Sequence, residues 1–414
     1  MISFHDRFFL VDSKNCILSV EELTDHQKAW VEQTFMMDQL LTEQDLQHYT
    51  QQKQFYVVQC NVINPPSKSD GGGTFKEHTA LTIPYTFKLT SVFSSSSSNG
   101  TISIPTECKL KVLHYTYSAV QSCMETPYLN TVKHIITHGE SRDDRTGTGT
   151  VSIFGNQIRF DISEFVPLLT TKFVPWKSCI HELLWFLRGS TNSKELEALK
   201  VNIWKDNTTR EFLDSRGLTH LPEGDIGAGY GFQWRHFGAE YENCHSSYDD
   251  KGFDQISDVI RLLREDPTSR RILFSAWNPL FLKKMALPPC HVMCQFYVSF
   301  KDNQKYLSCQ MYQRSQDVFL GAPFNIFSYA SLTYLLAKMC NMKPKELIIS
   351  SGDTHIYKDH IEQMKEQLKR VPLTPPRLTV SDDVLHKSID EITINDFELD
   401  GYFYHPRLYG KMSV

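Results

Sequence analysis

The sequence predicts an α/β protein with a substantial buried core. At 414 residues, 41% hydrophobic and 22% charged, the chain is long enough for two or three domains. Two apolar runs at residues 291–300 and 305–315 flank a polar turn, so they predict a β-hairpin. Residues 178–187 carry apolar side chains around most of a helix circumference, which predicts a buried helix. A sheet that packs against helices is therefore the expected architecture.

The predicted hairpin brings a cysteine and an arginine together. Its turn is centred near residues 302–303. Antiparallel pairing about this centre sets Arg314 opposite Cys290 to within a residue or two, with Ser315 beside it. A guanidinium group next to a thiol lowers the thiol pKa and favours the nucleophilic thiolate. The alternatives are a buried structural cysteine and an ordinary surface arginine.

The predicted buried helix carries a carboxylate, Glu182, among its apolar residues. Burial disfavours the charged form, so the pKa of Glu182 should be raised, which suits a group that shuttles a proton. The alternative is a structural carboxylate whose oxygens are satisfied by hydrogen bonds.

Two domains are predicted, an extension over residues 1–124 and a larger domain over residues 125–414. In the extension, Thr24 and Gln27 have the spacing of a capping box, and the apolar positions that follow predict a helix over residues 25–41. The same unit has predicted strands at 55–62, 79–89 and 101–117 and predicted flexible loops near 64–74 and 94–100. The expected result is a small α+β extension of unknown role.

Charge and cysteine content narrow the class of protein. A net charge of -5 gives no general attraction for nucleic acid, so a nucleic-acid partner is not required and any phosphate site must be a local arginine cluster. The ten cysteines include no Cys-x-x-Cys pair. No signal peptide or membrane span is expected, and a reactive thiol suits a reducing compartment. A cytoplasmic location is therefore predicted, with a nuclear location left open.

Six longer motifs follow in the order and spacing of a known family. They are Asp-Arg-Thr-Gly-Thr-Gly-Thr at 144–150, His-Glu-Leu-Leu-Trp-Phe-Leu at 181–187, Pro-Cys-His at 289–291, Gln-Arg-Ser at 313–315, Gly-Ala-Pro-Phe-Asn-Ile at 321–326 and Gly-Asp-Thr-His-Ile-Tyr at 352–357. On these residues the chain resembles the thymidylate synthase family from about residue 127 to residue 414. The resemblance implies a large mixed β-sheet wrapped by helices. The motifs of dihydrofolate reductase, which some relatives carry in a fused arrangement, are not found in the extension.

The resemblance implies a methyltransferase reaction. The thiolate of Cys290 would add to C6 of dUMP, and C5 would then attack the methylene carbon of 5,10-methylenetetrahydrofolate. Glu182, through a water molecule, and Tyr230 would remove the C5 proton. The folate would supply the hydride as well as the carbon, giving dTMP and dihydrofolate. It is therefore expected as a co-substrate, and neither a metal nor a nicotinamide is expected.

The resemblance also assigns residues to the site. The implied catalytic residues are Cys290, Glu182, Tyr230, Asn325 and Arg314. The implied substrate ligands are Arg145, Arg270, Arg271, Gln313, Arg314, Ser315, Asp317, Asn325, His355 and Tyr357. The implied folate contacts are Trp204, Asp317, Gly321 and Val414. Arginine forks suit phosphate oxygens, and the pair Arg270 and Arg271 would reach into the neighbouring site of a homodimer. His355 and Tyr357 would bind the ribose 3′-hydroxyl.

Asn325 would select the base. Its amide can donate to O4 of uracil and accept from N3–H, whereas cytosine presents the opposite pattern. The expected nucleotide is therefore dUMP rather than dCMP. Gln316 stands at a variable position of the family pattern and receives no role.

Two segments depart from the family pattern. Residues 227–230 read Gly-Ala-Gly-Tyr where Gly-Pro-Val-Tyr is usual, and the glycines are expected to loosen the loop that holds Tyr230. Phe173 stands where an arginine is usual, so one contact to the glutamate tail of the folate is not expected.

Two rival functions belong to other classes. A metal protein could use Cys290, His291 and Cys294, but side chains at the start of one strand point to alternate faces and lack a separated ligand pair. A catalytically weak relative could instead keep the fold for a binding or regulatory role of its extension. Retention of the nucleophile together with Glu182 and Tyr230 favours the active enzyme.

Overall fold

A computed structural model describes residues 4–11, 56–63, 85–87, 110–117, 124–144 and 147–411. The α-helices of this described part are α1 (Thr126–His138), α2 (Trp176–Leu187), α3 (Ser193–Ala198), α4 (Arg210–Ser215), α5 (Tyr230–Arg235), α6 (Gln255–Glu265), α7 (Gly321–Met339) and α8 (Ile361–Lys369). Short 3₁₀ turns lie at Leu282–Lys284, Lys358–His360, Asp382–His386, Ile389–Glu391 and Ile394–Asp396.

Four short strands of the extension form one sheet. They are β1 (Phe4–Val11), β2 (Tyr56–Ile63), β3 (Tyr85–Phe87) and β4 (Leu110–Tyr117), and their order in the sheet is β1-β2-β4-β3. The predicted strand at 55–62 is confirmed by β2, and those at 79–89 and 101–117 correspond in part to β3 and β4. The sequence pattern did not predict β1. The predicted helix and the two predicted loops lie outside the described residues.

A larger mixed sheet organises residues 140–357. Its strands are β5 (Glu140–Arg142), β6 (Thr150–Asp161), β7 (Leu273–Ser275), β8 (His291–Lys301), β9 (Gln304–Asp317) and β10 (Lys343–Tyr357), in the order β5-β6-β10-β9-β8-β7. β9 and β10 run parallel, whereas the other neighbours are antiparallel. A separate antiparallel pair joins β11 (Arg377–Val380) to β12 (Phe397–Asp400). The predicted mixed sheet with helices is confirmed.

The β8–β9 hairpin has the predicted register. Its turn is formed by Asp302 and Asn303, both with positive φ, as a tight two-residue turn requires. One irregularity between His291 and Met293 shifts the pairing by a residue near the strand start. The backbone N–H of Arg314 consequently donates to the carbonyl of Cys290 at 3.0 Å, within the predicted tolerance.

Within the described residues, helices pack against one face of the large sheet. α7 and α2 are almost wholly buried, and they pack with α1 against side chains such as Phe296 and Met311. The opposite face keeps apolar side chains in solvent, among them Met293 and Tyr312, which are directly paired across β8 and β9. In the part of the chain that the structure describes, the core therefore fixes the sheet from one side, and apolar side chains on the other side remain exposed.

The helices of the described part were compared with the dimensions of a bilayer. None of them is both long enough and apolar enough to cross a membrane.

Candidate active site

Cys290 lies directly before β8, at the end of the Pro288-Pro289 turn. The guanidinium of Arg314 holds this turn by donating from Nε to the Pro289 carbonyl and from NH2 to the Pro288 carbonyl, both at 2.8 Å. The same NH2 lies 3.8 Å from the Cys290 sulfur. The strand pairing thus places Arg314 next to Cys290, as predicted, and the two prolines hold the thiol in that position.

The predicted lowering of the Cys290 pKa is wrong in its net direction. Surrounding protein atoms desolvate the sulfur and raise the pKa of the thiol, while Arg314 acts in the opposite sense. The desolvation is the larger effect because protein atoms surround the sulfur. The sequence pattern identified Arg314, which lowers the pKa of the thiol, but not the desolvation, which raises it.

Tyr230 begins α5 and joins the nucleophile to the core. Its hydroxyl oxygen accepts a hydrogen bond from the Cys290 backbone N–H at 2.7 Å. Its ring stacks on Phe186 with the ring centroids 4.8 Å apart, and burial raises the pKa of the phenol well above its usual value. The residue has φ of 21°, at the edge of the left-handed region.

Glu182 faces the same space from α2. Its Oε1 accepts a hydrogen bond of 2.8 Å from the indole N–H of Trp204, whose ring centroid lies 5.7 Å from that of Tyr230. Desolvation raises the pKa of Glu182 to about 7, although the hydrogen bond from Trp204 lowers it. The expectation of a buried carboxyl with a raised pKa is confirmed.

Asn325 lies in the first turns of α7 and is held by two neighbours. Its Oδ1 accepts from Gln313 Nε2 at 2.9 Å, and its Nδ2 lies 2.6 Å from His291 Nε2. Gln316 donates to Gln313 Oε1 at 3.1 Å. Both ends of the Asn325 amide are therefore oriented by the protein itself.

Asp317 and Gly321 adjoin the same helix start. The carboxylate of Asp317 accepts from the backbone N–H groups of Phe319 and Leu320, at 2.9 Å and 3.3 Å, and so caps the approach to α7. A Cβ at Gly321 would lie 3.8 Å from both Asn325 Oδ1 and Asp317 Cβ. The Asp317 carboxylate, Gly321 and the Asn325 amide therefore share one region.

His355 lies near the end of β10, beside this region. It pairs in register with Asp317 on β9, and Asp353 pairs with Ser315. His355 Nδ1 lies 2.9 Å from Asp353 Oδ1, and its ring contacts that of Tyr357 with centroids 5.2 Å apart. Asp353 Oδ2 also accepts from Arg142 NH1 at 3.1 Å.

The structure does not bring Arg270 and Arg271 to Cys290. Both side chains are exposed just before β7, where the Arg270 carbonyl accepts from Gln295 Nε2 at 3.2 Å. Gln295 is five residues along β8 from the nucleophile, which corresponds to about 16 Å. Arg145 and Val414 lie outside the described residues.

Phe173, the departure noted in the sequence, has an internal role. Its ring packs against Tyr404 and Tyr402, with centroids 4.8 Å and 6.5 Å away. An aromatic cluster therefore occupies the position at which the resemblance implied an arginine.

The sequence analysis missed three residues of the site: His291, Gln316 and Asp353. Adjacency to Cys290 was a signal for His291, which was considered only as a metal ligand. The alternating Asp-Thr-His of the motif at 352–357 places Asp353 on the same side of β10 as His355, which was a signal for their contact. Gln316 gave no local signal, because its contact with Gln313 is evident only from the hydrogen bond in the structure.

The metal hypothesis finds no support in the geometry. Cys294 faces the core, with its sulfur 3.2 Å from that of Cys309. Across the described ranges, no group of three or more His, Cys, Asp or Glu side chains is arranged to hold a metal ion.

Comparison with known proteins identifies the family. The family model described as thymidylate synthase matches residues 126–414. The chain is 52% identical over 307 residues to the thymidylate synthase of Candida albicans, covering 70% of this chain and 98% of that protein. It is 50% identical over 290 residues to the human thymidylate synthase, covering 70% of this chain and 91% of the human protein. This chain belongs to the thymidylate synthase family.

Some relatives are larger proteins. The bifunctional dihydrofolate reductase-thymidylate synthase of Paramecium tetraurelia is 53% identical over 290 residues, or 70% of this chain. The match spans 61% of the Paramecium protein, and 54% of the corresponding maize protein. The chain therefore spans little more than half the length of these bifunctional relatives.

Proposed function

We propose that this protein is a thymidylate synthase that converts dUMP to dTMP with 5,10-methylenetetrahydrofolate and releases dihydrofolate. The observation that carries the proposal is the convergence of the Cys290 thiol, the Arg314 guanidinium and the Tyr230 hydroxyl on one turn. Glu182 and Asn325 face the same space from α2 and α7. These groups supply a nucleophile, a cation, a carboxyl that gains and loses protons near neutral pH, and an amide that can read a pyrimidine edge.

The proposed reaction begins with the addition of the Cys290 thiolate to C6 of dUMP, which makes C5 nucleophilic. C5 attacks the methylene carbon, and its proton leaves through a water held by Glu182 with Tyr230 nearby. Arg314 offsets part of the desolvation that keeps the free thiol protonated. Hydride transfer from the folate completes the methyl group, and the bond from C6 to Cys290 breaks.

The remaining assignments follow from the same proposal. Arg145, Arg314 and Ser315 would bind the phosphate, and Gln313 would support the base. His355 and Tyr357 would bind the 3′-hydroxyl. Trp204, Asp317, Gly321 and Val414 would contact the folate.

A homodimer is supported by the uncovered face of the large sheet. Leu273, Met293, Tyr297 and Tyr312 expose between 37% and 68% of their surface there. Exposed apolar side chains on one face of a sheet favour association. Arg270 and Arg271 lie exposed at the edge of that face, and within the described residues neither guanidinium forms an ion pair. They are therefore suited to complete the phosphate site of the neighbouring subunit.

We also propose that residues 1–124 form a unit distinct from the catalytic domain at 125–414. A cytoplasmic location fits the net charge of -5 and an enzyme that depends on a reduced thiol.

The test follows dihydrofolate formation by absorbance with dUMP and 5,10-methylenetetrahydrofolate. Cys290→Ser should lower turnover by several orders of magnitude while dUMP still binds, because an alkoxide is far harder to form than a thiolate. Cys244→Ser, at a partly buried cysteine whose backbone N–H donates to Asp225, is the matched control. A denaturation-stable adduct with 5-fluoro-dUMP and the folate should map to Cys290. A folded protein that forms no dihydrofolate would instead favour the weak relative with a binding role.

A further inference from the structure

A line of buried polar side chains leads from β9 to the base-reading position. Gln316 Nε2 donates to Gln313 Oε1 at 3.1 Å, and Gln313 Nε2 donates to Asn325 Oδ1 at 2.9 Å. Asn325 Nδ2 is 2.6 Å from His291 Nε2. The three amide residues are 1%, 2% and 7% exposed, so water does not substitute for these partners. We call Gln316, Gln313, Asn325 and His291 the amide relay.

The amide relay has a direction. Each amide offers its NH₂ group to the next carbonyl oxygen or ring nitrogen along the line. If Gln313 alone turned over, its NH₂ would face that of Gln316 and its carbonyl would face that of Asn325. Both contacts would be repulsive, and buried polar groups would lose their partners. The orientation of one amide therefore fixes the next.

The tautomer of His291, at the end of the relay, follows the direction of the amides. Its Nε2 accepts from Asn325, so its ring proton is on Nδ1, which is buried and has no hydrogen-bond partner. No contact at Nδ1 holds the proton there, and burial keeps the ring neutral by lowering its pKa to about 4. The tautomer can therefore change when Asn325 turns over. His291 therefore follows the direction of the amides and does not set it.

We propose that Gln316 is a positioning residue that favours uracil over cytosine by fixing the direction of the Asn325 amide. The inference rests on the proposed function, since it concerns the nucleotide of that same site. In the observed direction, Asn325 retains one N–H for O4 and one oxygen lone pair for N3–H, which is the uracil pattern. The inverted direction presents an N–H to N3 and an oxygen to the N4 amino group, which is the cytosine pattern.

The test replaces Gln316 in two ways. Gln316→Leu removes the donor and leaves the relay without a fixed direction. Gln316→Glu, assayed above the pKa of the new carboxyl, can only accept and should invert the relay. The measured quantity is the ratio of kcat/KM for dUMP over dCMP, followed by release of the C5 proton. We expect the ratio to fall by about tenfold in Gln316→Leu and by more in Gln316→Glu.

A matched control separates positioning from packing. Gln367 is fully buried and donates to Thr171 Oγ1, away from the relay. Gln367→Leu should therefore lower stability while the dUMP to dCMP ratio stays at the parental value. If Gln316→Glu does not fold, Gln316→Met serves beside Gln316→Leu as a second variant without a donor.

A second readout does not depend on turnover. Nitrogen NMR of His291 should report the Nδ1–H tautomer in the parent protein and the Nε2–H tautomer in Gln316→Glu. Unchanged ratios in both folded Gln316 variants, or an unchanged tautomer in Gln316→Glu, would overturn the proposal. If the parent acts on neither nucleotide, the proposed function is wrong, and the tautomer alone then decides whether the relay exists.

Discussion

The hydroxyl oxygen of Tyr230 accepts the backbone N–H of Cys290 at 2.7 Å, although 60 residues separate the two in the sequence. One phenol thus holds the nucleophile in place. Burial raises the pKa of that phenol well above its usual value, so Tyr230 acts as a neutral hydroxyl and not as a phenolate base. A proton that leaves C5 needs a water or Glu182 as its acceptor, with Tyr230 orienting the groups.

Tyr230→Phe removes this acceptor and keeps the ring. We expect methyl transfer and C5 proton release to fall together by about 10²-fold, because the reacting groups lose part of their alignment. Binding of dUMP should change little, because the ring still packs on Phe186. Single-turnover kinetics and equilibrium dUMP binding are the measurements. A large loss of dUMP affinity with unchanged chemistry would contradict this role.

Glu182 makes stability depend on pH. Its pKa is about 7 in the folded protein against an ordinary value of 4.5, because burial disfavours the charged form. The folded state binds this proton more tightly, so the associated stability is present below pH 4.5 and is lost as the pH rises through 7. The loss is on the order of 3 kcal/mol.

The glutamine of Glu182→Gln cannot ionise, so this variant should not lose stability as the pH rises. The difference in free energy of unfolding between Glu182→Gln and the parent should therefore grow in favour of the variant as the pH rises from 5 to 8. Urea unfolding at several pH values measures it. Parallel stability profiles for the two proteins would show that the carboxyl is not desolvated in solution.

Some features of the fold and the site follow from local sequence pattern, and others do not. The hairpin register could be predicted because the turn centre near 302–303 fixes every pair along β8 and β9. The buried helix and the raised pKa of Glu182 followed from apolar residues around the circumference of α2. These features depend on neighbours within one element or one hairpin.

The net pKa of Cys290 and the role of Gln316 depend on contacts between distant elements. Desolvation of the thiol arises from the protein atoms that surround it in the folded chain, and no local pattern measures it. Gln316 bonds to Gln313 within β9, and it is linked to Asn325 only because β9 and the start of α7 bring Gln313 next to Asn325. Hydrogen-bond direction between side chains is a tertiary property, which residue types alone do not specify.

The loop before Tyr230 allows a sharp comparison between two glycines. Gly229 has φ of -90° and ψ of 173°, and an added Cβ would meet Ile226 Cδ1 at 3.4 Å, an ordinary contact. Gly227 has φ of 75°, and its added Cβ would lie 2.1 Å from the Lys284 carbonyl oxygen. Only the first position accepts a side chain.

Gly229→Ala should raise the free energy of unfolding by about 0.5–1 kcal/mol, because it reduces the freedom of the unfolded loop. Gly227→Ala should lower the free energy of unfolding by more than about 1 kcal/mol through the clash and the positive φ. Denaturant unfolding of both variants measures the contrast. Equal destabilisation by the two substitutions would show that the loop does not adopt this conformation in solution.

The proposed dimer is testable by mixing two inactive proteins. Arg271→Glu impairs the phosphate site of the neighbour, whereas Cys290→Ala removes the nucleophile of its own subunit. A mixed dimer contains one site with an intact thiol and an intact neighbouring arginine, so mixing should restore up to about a quarter of the parental activity on statistical pairing of the subunits. Subunit exchange is verified by mass spectrometry of differently tagged chains. No recovery after verified exchange would exclude a shared site.

The last prediction concerns Asp353, which links His355 to Arg142. Its Oδ1 lies 2.9 Å from His355 Nδ1, and its Oδ2 accepts from Arg142 NH1 at 3.1 Å. The carboxylate accepts a hydrogen bond from Nδ1–H, which leaves Nε2 of His355 to contact a ribose 3′-hydroxyl. Asp353→Asn should raise KM for dUMP by roughly five- to tenfold with little change in kcat, because the sugar contact is the same before and during the reaction.

A nucleotide without the 3′-hydroxyl distinguishes this positioning role from general damage. The parent should bind 2′,3′-dideoxy-UMP less tightly than dUMP. This difference in affinity should be smaller in Asp353→Asn, because there the contact between His355 and the 3′-hydroxyl is already weakened. Arg142→Gln is the control, since its exposed ion pair with Asp353 contributes at most about 1 kcal/mol. Calorimetric binding of both nucleotides to the three proteins measures the gap. If Asp353→Asn weakens the dideoxy nucleotide as much as dUMP, the carboxylate supports the fold of the site without directing His355 to the sugar.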